Sequence, residues 1–183
     1  MTSAERHGGL ADVLDDHLAA EFATCDLDAT MATMTGDPYL NHVPVLTGGI
    51  GRAEVRRFYQ QTFIGHWPAG TTMERISRTI GSDQVVDELM LSFTHDIAMN
   101  HLLPGVPPTG KRVRLAVCVV AGFRGGKLSH EHICWDQASV LVQVGLLDPA
   151  RPPVTGAEQA DKLLAPRTVP ANALLGPDWP GPA

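Results

Sequence analysis

The chain of 183 residues predicts an α+β fold built on an antiparallel sheet. Three observations lead there. Apolar residues recur at helical spacing in the first third, alternating apolar runs joined by short Gly/Asp turns fill the middle, and prolines crowd together only after Asp148-Pro149. Helices first and hairpin-linked strands afterwards is the order of a segregated α+β domain.

The elements follow in order. Leu10, Val13, Leu14, Leu18 and Phe22 share one face, with Asp12, Asp15 and Asp16 opposite, so residues 10–22 read as an amphipathic helix. Asp26 caps a second short helix carrying Leu27, Met31 and Met34, which Gly36 stops. Tyr39 to Val43, between Pro38 and Pro44, is a short or edge strand, because proline cannot donate to a ladder. Gly48-Gly49-Ile50-Gly51 resets the direction, and Val55, Phe58, Tyr59 and Phe63 mark a third helix ended by Gly65 and Pro68. A meander comes after it: Thr71 to Ile80, a turn at Gly81-Ser82-Asp83, a long strand from Gln84 to Met99, an irregular loop from Pro104 to Lys111, and a β-branched strand from Arg112 to Phe123. Gly125-Gly126 turns the chain into a last strand, Leu128 to Asp136, and a closing helix runs from Ala138 to Leu147.

Residues 1–9 are expected to be a flexible N-terminus, 10–148 one domain, and 149–183 a Pro-rich extended tail with room for a short helix at 156–164, its end either frayed or anchored by Trp179 on the body or on a second subunit. The 44% apolar and 19% charged composition is that of a globular protein. A net charge of −6, with no basic run beyond Arg56-Arg57 or Lys111-Arg112-Val113-Arg114, speaks against nucleic acid and against a polybasic membrane surface. No apolar run reaches the ~18 residues a membrane span needs, so a cytoplasmic location is expected. Cys25, Cys118 and Cys134 form no C-x-x-C pair and read as reduced, buried thiols.

The last strand carries the most chemistry, since Ser129-His130-Glu131-His132-Ile133-Cys134-Trp135-Asp136 crowds ionisable groups into one extended segment. Strand side chains alternate, so Glu131, Ile133 and Trp135 share one face and His130, His132 and Cys134 the other. The His-x-His pair invites a metal only if a third ligand arrives from His95, Asp96 or His101; no metal and no other cofactor is assigned. Asp136 stands where a helix N-cap belongs.

Thr94-His95, Pro107-Pro108-Thr109-Gly110-Lys111, Gly126-Lys127-Leu128, Trp135-Asp136-Gln137 and Leu141-Val142-Gln143-Val144-Gly145-Leu146, taken as an ordered set, resemble the SnoaL-like branch of the nuclear-transport-factor-two-like superfamily. The resemblance covers roughly residues 10–148. It implies a strongly curved antiparallel sheet wrapped by the N-terminal helices into a cone, an internal pocket, and often a homodimer. It also implies a ligand that is a small apolar or polyketide-like molecule, and proton-transfer chemistry such as cyclisation, isomerisation or lactone opening. The family's non-catalytic members imply the alternative of a ligand-binding or dimerisation module accessory to another enzyme.

Two branches of the resemblance can be tested on residues. Tyr39-Leu40-Asn41 is similar to the water-positioning pair of epoxide hydrolase relatives, but Leu89, Leu91 and Ile133 stand about where those relatives carry arginine and aspartates. Cyclase relatives place a catalytic carboxylate near Ile133, which moves the general-base assignment to Glu131, with a pKa raised by apolar neighbours. The alternative for Glu131 is an ion pair with Arg112 or Arg114. His95 shares parity with Leu89, Leu91 and Phe93 and is the acid or base partner expected for Glu131. Tyr39 and Asn41 would orient a substrate oxygen, and Trp67, Leu89, Leu91, Phe93, Ile133 and Trp135 would line the pocket, with core packing the competing role of each aromatic.

Overall fold

Alternation in the longest strand sets the architecture. Along Arg112–Arg124 the side chains of Val113, Leu115, Val117, Val119 and Ala121 are buried, and those between them are partly or fully exposed. One face of the sheet therefore turns inward and one outward. The computed structural model describes residues 3–175, with side chains described from Gly9 to Leu174.

The strands are β1 (Met34–His42), β2 (Thr47–Ile50), β3 (Thr72–Ile80), β4 (Gln84–Thr94), β5 (Arg112–Arg124) and β6 (Lys127–Trp135). They form a six-stranded sheet in the order β2-β1-β6-β5-β4-β3. The β3-β4-β5-β6 portion is the expected antiparallel meander. The sheet as a whole is mixed, because β1 lies parallel to β6. Parallel neighbours need a long connection, and here a helix and several strands intervene between them. β1 is thus an inner strand, with β2 as the edge, and the Gly48-Gly49 segment folds back on Leu40 and Asn41 as its antiparallel partner. Pro38 is accommodated where the β1–β6 register shifts between Met34 and Tyr39.

Helices α1 (Ser3–Leu18), α2 (Leu27–Thr33) and α3 (Gly51–Phe58) cover one part of the inner face. Of the N-terminal segment expected to be flexible, residues 3–9 belong to α1. Asp26 caps α2 by accepting from Ala29 N–H at 3.0 Å, and Asp136 caps α4 (Gln137–Gln143) through Ser139 N–H at 3.2 Å. Both caps fall where the sequence puts them. The fourth strand ends at Thr94 rather than Met99, and the chain beyond it folds into a loop that buries Met99, Leu102 and Leu103 against the sheet. Residues after Asp148 are not extended throughout: α5 (Glu158–Leu164) docks on β5 through an Arg114–Asp161 ion pair, and Ala160 is fully buried. Trp179 lies outside the described residues. Cys25 and Cys118 are exposed thiols, not buried ones, and Cys134 faces Cys118 across the outer surface of β5–β6. Among the described residues no helix is long and apolar enough to cross a membrane.

The core divides in two. One cluster, built on Leu14, Met31, Val55 and Phe58, lies under the helices, and the other, built on Leu91, Leu103, Leu115 and Val140, lies under the loop after β4 and α4. Trp67 and Ile133 pack against both. Between the clusters the inner face of the sheet leaves a cavity.

Candidate functional site

The β5–β6 hairpin aims the central residue. Ser129 is left unpaired where the register shifts between Gly122 and Phe123, and its hydroxyl donates to the Gly122 carbonyl at 2.9 Å. Such a bulge flips the parity of the residues beyond it. Leu128 stays buried before the bulge, and Glu131, Ile133 and Trp135 face inward after it, opposite Ala121, Val119 and Val117. Leu40 and His42 of β1 flank the same face beside Glu131 and Ile133.

These residues close one side of an apolar cavity. Its walls include Leu89, Leu91, Leu115, Phe63 and Trp67. Of the residues predicted from sequence, Glu131, Trp67, Leu89, Leu91, Ile133 and Trp135 line it. Phe93 packs in the neighbouring core, 6.2 Å from Trp67 by ring centroid.

Tyr39, Asn41 and His95 are elsewhere. β1 turns Leu40 and His42 inward, so Tyr39 and Asn41 fall on the opposite parity. Tyr39 stacks on His130 at 5.0 Å and its hydroxyl lies 2.6 Å from His132 Nε2 on the outer face. The two histidines of the His-x-His pair are thereby engaged with an aromatic side chain. His95 follows the end of β4, fully buried, with Nδ1 3.2 Å from the Thr109 hydroxyl and backbone bonds to Lys111 and Gly110. It anchors the loop after β4 and does not reach the cavity wall that Glu131 occupies.

The partner of Glu131 is His17, with Glu21 and Tyr59 completing the group. His17 Nε2 lies 3.1 Å from Glu21 Oε1, 3.4 Å from Glu131 Oε2 and 3.1 Å from the Tyr59 hydroxyl. Tyr59 donates its hydroxyl to Glu131 Oε2 at 3.1 Å. Glu21, Tyr59 and Glu131 line the cavity, and His17 stands behind them. All four are buried. Arg114 pairs with Asp161, leaving Glu131 to this group.

Hydrogen-bond direction fixes the protons. The Thr33 hydroxyl donates to the Thr30 carbonyl at 2.7 Å, so at 2.6 Å from His17 Nδ1 it accepts. Tyr59 donates to Glu131, so it accepts from His17 Nε2. Both ring nitrogens carry hydrogen, which makes His17 an imidazolium. Its pKa agrees: burial alone would lower it, but the Glu21 and Glu131 charges and their hydrogen bonds outweigh burial and raise it to about 10. The two carboxyls diverge. Burial raises Glu21, while for Glu131 burial is outweighed by the His17 charge, by hydrogen bonds from His17 and Tyr59 and by His42, so that it falls below the ordinary value. Expectation from the apolar neighbours had the opposite sign for Glu131, because the buried cation was not visible. The surroundings thus push the two carboxyls in opposite directions, the pattern by which neighbouring carboxyls come to differ in acidity.

Two local distortions deliver these side chains. A π-helical turn at Ala19–Ala23 continues α1 and carries Glu21, and a second at Tyr59–Phe63 continues α3 and carries Tyr59 and Phe63. Such turns are rare and recur at functional sites. Sequence reading passed over His17, Glu21 and Tyr59. The signal for the first two was polarity on the apolar stripe: Leu10, Leu14, His17 and Glu21 follow one another at intervals of four, three and four. Tyr59 was legible only as part of an apolar pattern.

The His17, Glu21 and Glu131 ligand atoms lie within 4.8 Å of one another, a nitrogen-and-carboxylate set that a divalent cation accepts. Binding there would require Nε2 to release its proton.

The group also sets a pH dependence of stability. A histidine raised from 6.5 to about 10 on folding stabilises fully below pH ~6.5, and that contribution is lost as pH rises toward 10. Over that window the native state holds the extra proton, so unfolding free energy should fall by at most about 1.4 kcal/mol per pH unit from this residue. Urea titrations at pH 7 and pH 9.5 should show that fall in the parent and a flatter profile in His17→Gln; parallel profiles would refute the assignment.

The fold has solved counterparts. A protein of Jannaschia sp. CCS1 named as a candidate SnoaL-like polyketide cyclase superposes with a TM-score of 0.64 at 17% identity, covering 78% of this chain and 95% of that one. AclR of Streptomyces galilaeus gives 0.58 at 20% identity, over 80% and 89%, and an NTF2-like protein of unknown function from Burkholderia pseudomallei K96243 gives 0.58 at 15% identity, over 74% and 97%. At these identities the likeness is one of fold, a curled, unclosed sheet wrapped by helices. No curated protein sequence matches the chain. The family model of the SnoaL-like domain matches residues 15–131, a span that holds β1 to β5 and the whole His17–Glu21–Tyr59–Glu131 group, and the chain belongs to that family.

Proposed function

We propose that the protein binds a small, largely apolar organic molecule in this cavity and moves a proton on it, with Glu131 as the general base. The observation that carries the reading is the buried Glu131–His17 pair opening on an otherwise apolar wall. Glu131 takes a proton from a carbon next to a carbonyl, the electron pair moves onto the carbonyl oxygen, and the enolate is reprotonated at carbon or attacks within the same molecule. Isomerisation and ring closure of a polyketide-like substrate both begin that way. His17 does not touch the substrate; it holds Glu131 ionised and in place, and Glu21 shares the same wall. The name of the Jannaschia relative is in keeping with such a substrate class. Assembly as a homodimer in the cytoplasm belongs to the same proposal and rests on family likeness.

The test is α-proton exchange in deuterium oxide on 2-tetralone, an apolar aromatic ketone. The protein should exchange its α-hydrogens faster than buffer. Exchange equal to buffer refutes the base assignment for this class and favours a purely binding role. A second reading, a divalent cation on His17, Glu21 and Glu131, has the donor set in its favour. Dialysis against a chelator separates the two: exchange that survives belongs to the proton pair, and exchange restored only by added Zn²⁺ or Mn²⁺ belongs to the cation.

A further inference from the structure

The carboxylate group accounts for only part of the polar surface of the cavity. Three further lining residues, His42, Trp67 and His101, each bury a polar atom that has no hydrogen-bond partner among the described residues: His42 Nδ1, Trp67 Nε1 and His101 Nε2. His101 is 1% exposed and His42 3%. Their rings adjoin: Trp67 and His101 have centroids 4.6 Å apart, and His42 and His101 6.2 Å. Leaving a buried polar atom unpaired costs about 1–3 kcal/mol, and most such atoms in folded proteins are paired. The three atoms belong to residues that share one cavity wall, and none has a partner among the described residues.

The hydrogens identify what. His101 Nδ1 is 2.8 Å from the Thr62 carbonyl oxygen, which only accepts, so Nδ1 carries the hydrogen. Burial keeps the ring neutral, with the pKa held down to about 3. Nε2 is then a bare lone pair, an acceptor. Indole Nε1–H is a donor only. An acceptor and a donor are thus carried by adjoining rings. A hydroxyl group satisfies both at once, giving its hydrogen to His101 and accepting from Trp67. An ether or carbonyl satisfies the indole alone, and a carboxylate meets the imidazole lone pair with no cation to offset its burial.

We infer that the His101–Trp67 wall is the receptor for a hydroxyl group of the ligand, so the cavity selects phenols, enols and alcohols over ethers and carboxylates. This role rests on the cavity being the ligand site and is independent of Glu131 acting as a base.

Calorimetric titration with 2-naphthol, 2-methoxynaphthalene and 2-naphthoate tests it. The naphthol should bind at least about tenfold more tightly than its methyl ether, the worth of one well-made hydrogen bond, and the naphthoate more weakly than either. His101→Phe should abolish the preference for naphthol over the ether while leaving ether binding in place. Trp67→Phe should weaken both ligands and keep the preference. Equal binding of naphthol and ether by the parent overturns the inference. So does a preference that survives His101→Phe and vanishes in Glu131→Gln, which would place the hydroxyl on the carboxylate. Because His101→Phe also removes the bond to Thr62, the unmodified protein labelled with ¹⁵N-histidine supplies an independent readout: naphthol should shift the His101 Nε2 resonance and the methyl ether should not, and no shift with naphthol overturns the assignment. Loss of α-proton exchange in Glu131→Gln with the naphthol preference intact supports both proposals separately.

Discussion

Glu131→Gln should lower the rate of α-proton exchange by about 100- to 10,000-fold, the range a positioned general base supplies. The substitution keeps the shape of the side chain and an oxygen able to accept from Tyr59, but removes the negative charge and the basic lone pair. Binding of an apolar ligand should change little, since the cavity wall is otherwise apolar. Some stability is lost because the His17 imidazolium is fully buried and loses one of its two carboxylates. Glu21 remains 3.1 Å from Nε2 as a partner for the imidazolium, so the variant should stay folded, as circular dichroism would report. Glu21→Gln should cost less than Glu131→Gln, because Glu21 is the carboxyl that burial pushes toward its protonated form and glutamine is close to that form in shape and charge. The pH profile adds an independent check. The pKa of Glu131 is lowered, so exchange should persist as pH falls through the ordinary carboxylate range near ~4.3. A rate that fell away near pH ~6 would mean a different base, such as a histidine with an ordinary pKa. Equal losses in the two variants would contradict the assignment of Glu131 as the base.

How far the sequence carried the site depends on which atoms are local. β6 alternation is a property of one segment, and it was enough to put Glu131, Ile133 and Trp135 on the inner face. The helix caps at Asp26 and Asp136 are equally local. What failed were inferences carried across elements. Tyr39 and Asn41 depended on which face of β1 turns inward, and β1 bulges at Pro38 and lies parallel to β6, neither of which the proline pattern specifies. His95 depended on β4 continuing to Met99, but the strand stops at Thr94 and the backbone of His95 is tied to Lys111 and Gly110. His17 and Glu21 lie far before Glu131 in the chain, and nothing in the order of elements says that their helix face meets β6. The fold followed from the order of elements, whereas the buried His17–Glu21–Tyr59–Glu131 group required three elements in register.

Arg78→Met should destabilise the protein by about 3–5 kcal/mol, the cost of leaving one member of a buried ion pair without the other. Asp87 is fully buried on β4, and its two oxygens take hydrogen bonds from Arg78 Nε at 2.6 Å and from the second guanidinium nitrogen at 2.7 Å. The side chain of Arg78 on β3 is itself only 11% exposed. Such a fork fits a carboxylate at both oxygens and holds it in one geometry. The guanidinium also reaches Asp15 of α1 at 2.8 Å, joining the helix to the edge of the sheet. That outer contact contributes little, because Asp15 is half-exposed and a surface pair of this kind is worth roughly 0–1 kcal/mol. Asp15→Ala should therefore shift thermal unfolding only slightly. Arg78→Met should lower it by about 6–20 °C for a domain of this size. Removing the charge on Asp87 separates the two terms. In the double variant Arg78→Met, Asp87→Leu the buried carboxylate is gone and apolar side chains fill the space, so most of the lost stability should return. If the double variant were less stable than Arg78→Met alone, the pair would be stabilising by its own attraction rather than by neutralising a charge that burial has stranded, and the sign of the coupling in the double-mutant cycle decides between them.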